Sequence, residues 1–232
     1  MFDDLGGQIY KTFVVDDRWT LFIQGLGNTL IIAAIAVAIG TVIGSLFAIA
    51  KVNVLQTGKN KWLGVVYDVY VTVIRGTPSL VQLLIMYYII FASAPMDATI
   101  YVAALAFGIN SGAYVAEIVR GGILAVPKGQ FEAGRSLGLT NAQTMHKIIF
   151  PQAIKNILPA LGNEFIVLFK ETSLVGYVAI YDLTRAADMI RSQTYAPLVP
   201  LLSVAGMYLV IVIIISFFLK KLEKRLAKSD AR

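Results

Sequence analysis

Few side chains in this 232-residue chain could do chemistry inside its apolar stretches. Asn163 and Glu164 interrupt the run from Leu158 to Phe169, and Glu117 stands near the end of another, three residues before Arg120. A carboxylate in hydrocarbon costs about 2.5 kcal/mol or more on insertion scales, so Glu164 must face protein or a wet cavity. Two roles fit it: a station on a solute route, or a structural partner for a backbone or basic group. Glu117 and Arg120 are spaced i,i+3 on a helix and read as an ion pair at the rim of a span. The composition excludes other chemistries. With no cysteine there are no disulfides, thiolate metal sites or cysteine nucleophiles, and the single His146 cannot build a histidine metal cluster. No Gly-x4-Gly-Lys-Ser/Thr loop is present to cradle phosphates.

A second group of residues lies between Pro127 and Pro151, in PKGQFEAGRSLGLTNAQTMHKIIFP. The pattern predicts a short helix over 129–137 with Phe131, Gly134 and Leu137 on one side, and Glu132 and Arg135 spaced for an ion pair. Gly138 stops it, because a glycine just past the last helical residue takes a left-handed conformation without a Cβ penalty. Thr140 and Gln143 supply a capping box for a second helix, from Asn141 to Phe150. That helix places Ala142, Met145 and Ile149 on one face, with Asn141, Gln143, Thr144 and Lys147 largely on the other. The outcome is a bent, basic helix pair.

The elements that must position these residues are membrane spans. Apolar residues make up 57% of the chain and charged ones 15%, against about 25% charged in soluble domains, and the mean hydropathy is +0.73. The fold class is therefore an all-α integral membrane protein. The net charge of +6 is spread over membrane flanks, so it implies topology and no nucleic-acid partner. The start, MFDDLGGQIYKTF, lacks the basic n-region of a cleavable signal peptide.

No charged residue occurs between Arg18 and Lys51, which is span one, with Trp19 as an interfacial anchor and Gly40 and Gly44 as a GxxxG pair for close helix packing. After a polar turn, Trp62 to Ile74 reads as an amphipathic helix that ends at Arg75-Gly76-Thr77-Pro78, and span two starts near Ser79. Span three covers about Ala98 to Val119, and span four Leu158 to Phe169. Leu183, Ala186, Ala187 and Ile190 then share one face of a surface helix, with Asp182 paired to Arg185 and Asp188 to Arg191 on the other. Pro197 and Pro200 open span five. Lys and Arg collect in the 51–61 turn, the 120–155 loop and the C-terminal tail. Five transmembrane helices, with the N-terminus outside and the C-terminus cytoplasmic, satisfy the positive-inside rule, with an external segment at 1–18, a cytoplasmic loop at 127–151 and a cytoplasmic basic tail at 220–232.

The residues carry a resemblance across nearly the whole chain. Glu132-Ala133-Gly134, three residues, Gly138, nine residues and Ile148-Ile149-Phe150-Pro151 resembles the EAA loop of bacterial ABC importer permeases, with Gly134 for the second Ala and Phe150 for Leu. Arg75-Gly-Thr-Pro78, the stretch Asn110 to Arg120, the run Asn156 to Phe165 and Lys170 to Leu174 are similar to the polar amino-acid branch of that family, the five-span type I importers. The resemblance implies a single transmembrane domain over 1–232 in the bacterial inner membrane. It implies a second permease, identical or paralogous, a dimer of ATP-binding subunits and an external substrate-binding protein. The chain would be no enzyme and carry no cofactor, ATP and Mg being held by the partner ATPase. Gln130, Phe131, Glu132, Ala133, Gly134, Leu137 and Gly138 would couple it to that motor: Glu132 to a basic residue, Phe131 and Leu137 into a surface cleft, Gly138 at the bend. A buried Glu164 suits a cationic amino acid such as arginine, lysine or histidine, and glutamine or another polar amino acid is the alternative. A proton-coupled secondary transporter using Glu164 and Glu117 is the rival class, against which stand the lack of inverted repeats and the glycine-bent loop.

Overall fold

Long uncharged runs favour helices that satisfy every backbone group internally. The structure, a computed structural model that describes residues 5–228, is helical in every regular element among those residues. The order is α1 (Leu5–Phe13), α2 (Trp19–Thr57), α3 (Lys61–Arg75), α4 (Ser79–Ile85), α5 (Thr99–Leu124), α6 (Lys128–Ser136), α7 (Asn141–Thr144), α8 (Phe150–Glu171), α9 (Leu183–Thr194) and α10 (Leu198–Lys228). Of the expected external segment and basic tail, residues 1–4 and 229–232 lie outside the described residues.

Three stretches among the described residues are long and apolar enough to cross a membrane: Val15–Thr57, Met96–Leu124 and Leu198–Leu226. A fourth qualifies if α3 and α4 count as one broken span, bent by 101°. This corrects the expectation of a full second span beginning at Ser79. Helix α4 covers seven residues and is continued by one wide π turn at Met86–Ile90, which together rise only about 18 Å. The break has a local cause. Gly76 closes α3 through its N–H to the Thr72 carbonyl, 3.0 Å, and Pro78 disfavours helical backbone in the residue before it. Helix α2 runs for 39 residues, about 58 Å, past Lys51 to Thr57 and well beyond the ~30 Å of a hydrocarbon core. Helix α8 is long enough at 22 residues, but Lys155, Asn163, Glu164 and Lys170 keep it off the apolar set.

The chain divides into two compact units. The first comprises the described part of Met1–Ala36, with Ser79–Phe107 and Ile166–Ile215. Its core is the predicted face of α9: Leu183, Ala186, Ala187 and Ile190 are fully buried with Phe22 and Val204. The segment before α9 is stitched to α2 by polar bonds. Asn28 donates to the Tyr181 carbonyl at 2.7 Å, Tyr181 donates to the Leu21 carbonyl at 3.2 Å, and the Leu183 N–H reaches the Thr29 hydroxyl at 3.2 Å. The expected Asp182–Arg185 pair is not made. Asp182 is the N-cap of α9, and its carboxylate accepts from the backbone N–H of Thr184 (3.0 Å) and of Arg185 (2.8 Å). Arg185 turns to Asp188 instead, 3.2 Å away, and Asp188 also pairs with Arg191. Burial pushes the Asp182 carboxyl above its ordinary range even against those two N–H donors.

The second unit comprises Val37–Pro78, Gly108–Phe165 and the described part of Ser216–Arg232. Its core joins Ala48 and Val52 of α2, Val115, Val119 and Ile123 of α5, Ile149, and Ala153 and Ile157 of α8. The GxxxG pair is its seam. A Cβ at Gly40 would stand 3.1 Å from the Gly108 carbonyl oxygen, and one at Gly44 would stand 2.6 Å from the Gly112 carbonyl oxygen. Backbone therefore meets backbone, the packing use of small residues in membrane helices.

Candidate functional site

Within the second unit the loop from Pro127 to Pro151 folds as the elbow that its sequence requires. Helix α6 stops at Ser136, and Gly138 takes φ +83°, a conformation open to glycine without penalty. Its N–H bonds the Arg135 carbonyl at 3.0 Å, and Leu139 N–H returns to the Gly134 carbonyl at 3.2 Å. Thr140 and Gln143 form both halves of the capping box. Beyond α7 the chain does not break at Pro151. One π turn, Met145–Ile149, carries the helix directly into α8, with Pro151 in its first turn, where a missing N–H costs little.

The seven residues expected to couple this loop are brought together on α6 and its stop, with unequal exposure. Gln130, Glu132, Ala133, Leu137 and Gly138 are exposed, Leu137 at 80%. Phe131 is half-buried and packs on the core around Val126 and Ile149, so it anchors α6 from inside. Gly134 is buried. Two expectations are corrected here. Glu132 and Arg135 make no ion pair, because Arg135 donates to the Leu139 carbonyl across the glycine turn. Thr144 is not on a solvated face: it is fully buried, with its hydroxyl unpartnered, against Gly134.

That contact explains the departure from Ala at position 134. A Cβ there would stand 2.7 Å from Thr144 Cγ2 and 2.9 Å from Ile148 Cδ1, closer than packed carbons approach. Gly134→Ala gains up to about 1 kcal/mol of helix propensity and loses about 1–3 kcal/mol to overpacking. A net drop in thermal stability is the expected result, and Thr144→Ser, which removes Cγ2, restores it in the double variant. Melting curves of the four proteins measure the coupling.

Glu164 is half-buried on α8 and accepts a hydrogen bond from the Ser111 hydroxyl of α5 at 2.8 Å, while its neighbour Asn163 is exposed. The two expected path residues are thus adjacent in sequence but turned differently. Sequence reading missed a larger polar cluster one face away on α5. Glu117 accepts from Arg120 through both oxygens, at 2.9 Å and 3.0 Å, and from the Tyr67 hydroxyl. Arg120 Nε also reaches the Tyr67 oxygen at 3.1 Å. Arg75, from the end of α3, stands 3.6 Å from the same carboxylate and 5.0 Å over the Tyr114 ring. Two guanidiniums share one carboxylate, and the surplus positive charge rests on the aromatic face. The Glu117–Arg120 pair was legible from spacing, but Tyr67 and Arg75 come from another helix, and only their tertiary placement brings them in.

Comparison with known proteins places this geometry. Residues 40–228 match the family described as binding-protein-dependent transport system inner membrane component. The chain is 41% identical over 208 residues to a protein of Rickettsia bellii named as the glutamine transport system permease GlnP, with 89% of this chain and 93% of that one covered. It is 36% identical to the arginine transport system permease protein ArtQ of Bacillus subtilis, over 90% and 93%. A crystal structure of an amino acid ABC transporter with histidines superposes with a TM-score of 0.81 at 47% identity, over 92% and 98% of the two chains.

Proposed function

We propose a function on the premise that this chain belongs to the family of inner membrane components of binding-protein-dependent transport systems, as an amino-acid ABC permease subunit. It forms one half of a path for a polar amino acid across the bacterial cytoplasmic membrane, driven by ATP hydrolysis on a separate subunit that holds the nucleotide and Mg. A second permease, identical or paralogous, supplies the other half, and an external binding protein delivers the substrate. The chain crosses five times as one transmembrane domain, with 1–18 outside and the 127–151 loop and 220–232 tail in the cytoplasm. Here α3 and α4 serve as one broken crossing, and α8 is the polar crossing.

The observation that carries this reading is the α6–Gly138–α7 elbow, with exposed Glu132 and Leu137 on its outer face and Phe131 and Gly134 locked to the unit beneath. A push on α6 passes through Gly134 against Thr144 and along the continuous helix into α8. Gln130, Glu132, Ala133 and Leu137 meet the ATPase, with Glu132 facing a basic residue, and the two permease halves rock between outward and inward access.

The first reading of the substrate is a cationic amino acid, supported by the half-buried Glu164 and exposed Asn163. Opposite charges in a low-dielectric path favour each other. Glutamine is the second reading, favoured by the Rickettsia relative. Glu164→Gln separates them in proteoliposomes holding the assembled importer. The cationic reading expects arginine uptake to fall about tenfold, a loss of about 1.4 kcal/mol, with glutamine uptake unchanged. Unchanged arginine uptake removes the charge argument. ATP in the lumen with the proton gradient collapsed must sustain either flux, and flux that needs the gradient alone defeats the whole reading.

A further inference from the structure

A groove of about 510 Å3 opens on the second unit between the end of α2, the end of α5 and the π turn after α7. That volume falls within the range of about 300–1,000 Å3 common for small-ligand sites. Its floor is apolar and rigid: Val52 and Ile123 are 2% and 5% exposed, and Met145 packs on the same core. One wall, Ile49, belongs to a stretch apolar enough to cross the bilayer and is itself 51% exposed. The other end is polar. Asn53, Gln56, Asn141 and His146 line it, and all four are exposed. Lys147 follows His146 in sequence and Lys59 comes just after α2, both exposed, while Lys128 and Glu132 line the adjoining cavity that shares Gln56 and Ile123.

An apolar trough that begins at the exposed apolar flank of α2 and ends in exposed amides and an imidazole, with lysines close by in sequence, has the amphiphilic profile of a lipid. We propose that this groove binds one acyl chain of a bilayer phospholipid, with the phosphodiester held by Asn53, Gln56, Asn141 and His146. The inference rests on the topology proposed above, which puts the polar end at the cytoplasmic headgroup layer. The floor residues Val52 and Met145 belong to the core that seats α6 through Phe131, so the bound chain stiffens the base of the elbow. An anionic headgroup is preferred over a zwitterionic one, because a net negative phosphate layer complements the lysines near the mouth.

The experiment uses the full chain, purified with its ATP-binding partner and reconstituted in vesicles of phosphatidylcholine and phosphatidylglycerol, with each lipid in turn carrying a diazirine near the carboxyl end of one acyl chain. Photolysis is expected to label peptides spanning 49–56 and 141–150 above the exposed belt of α10. Ala142→Trp, which fills the groove, is expected to lower that labelling about tenfold while leaving α10 labelled. His146→Glu, at an exposed position, leaves the fold intact and is expected to abolish the preference for phosphatidylglycerol over phosphatidylcholine, which decides the matter should Ala142→Trp fail to assemble. Labelling no denser than on α10, or unmoved by either variant, overturns the proposal. Labelling confined to the isolated permease and lost in the complex also overturns it, since the occupant is then the ATPase. Leu137→Cys, in a chain with no other cysteine, reports sidedness separately, so an error in topology is told apart from an error about the lipid.

Discussion

Gly138→Pro is expected to reduce substrate-stimulated ATP hydrolysis by the assembled importer to its basal rate and to abolish uptake. Proline holds φ near −65°, whereas the turn requires +83°, and proline deletes the N–H that bonds the Arg135 carbonyl. The combined cost is about 3 kcal/mol or more, borne entirely by the elbow. Gly138→Ala retains the N–H and meets only the left-handed penalty, about 1–2 kcal/mol, so it is expected to leave partial, less tightly coupled activity. Both variants leave the α2–α5 seam untouched and are expected to keep the protein in the membrane. The informative measurement is the ratio of substrate moved to ATP hydrolysed. A normal ratio in Gly138→Pro would show that α6 is not the element through which the motor acts.

Gly44→Val is expected to dismantle the second unit itself. The added Cβ would stand 2.6 Å from the Gly112 carbonyl oxygen and 2.7 Å from Val115, and neither α2 nor α5 has a flexible tip there that can retreat. Beside the seam Tyr70 donates to the Ile109 carbonyl at 2.6 Å and stacks on Phe47 at 4.5 Å between ring centres, so separating the helices breaks these contacts too. Overpacking of this kind costs about 3 kcal/mol, a large share of a marginal stability. Detergent-solubilised Gly44→Val is expected to run as aggregate in size exclusion, with Gly44→Ala intermediate. A melting temperature equal to that of the parent would mean the seam opens without consequence.

What the sequence disclosed and what it concealed divides by distance along the chain. Local rules found the capping box at Thr140 and Gln143, the glycine stop at 138, the GxxxG seam and the four-residue face of α9, because each is set by backbone geometry or by one helical period. Competition between partners was hidden. Asp182 had Arg185 at pairing distance in sequence and instead took two backbone N–H groups, since an unsatisfied helix start beside a buried carboxylate is the stronger demand. Thr144 looked solvated by periodicity, and a glycine ten residues earlier drew it inward. Arg75 read only as part of a helix break. Its place beside Glu117 depends on how α3 lies along α5, which no periodicity encodes. The break at Gly76 and Pro78 was legible, but the span expected from Ser79 fell short because the helix after the break ends at Ile90, which its apolar composition did not signal.

The polar make-up of α8 bears on how the chain is assembled in the first place. With Lys155, Asn163, Glu164 and Lys170 along its length, this segment gains little by leaving the translocation machinery alone for lipid. Its stabilising neighbours are made at different times: Ser111, which meets Glu164, emerges earlier, and Leu219, which presses on Gly162, emerges last. Biogenesis of the topology proposed here therefore has a natural waiting step, in which α8 lingers beside α5 until α10 is synthesised and closes over it.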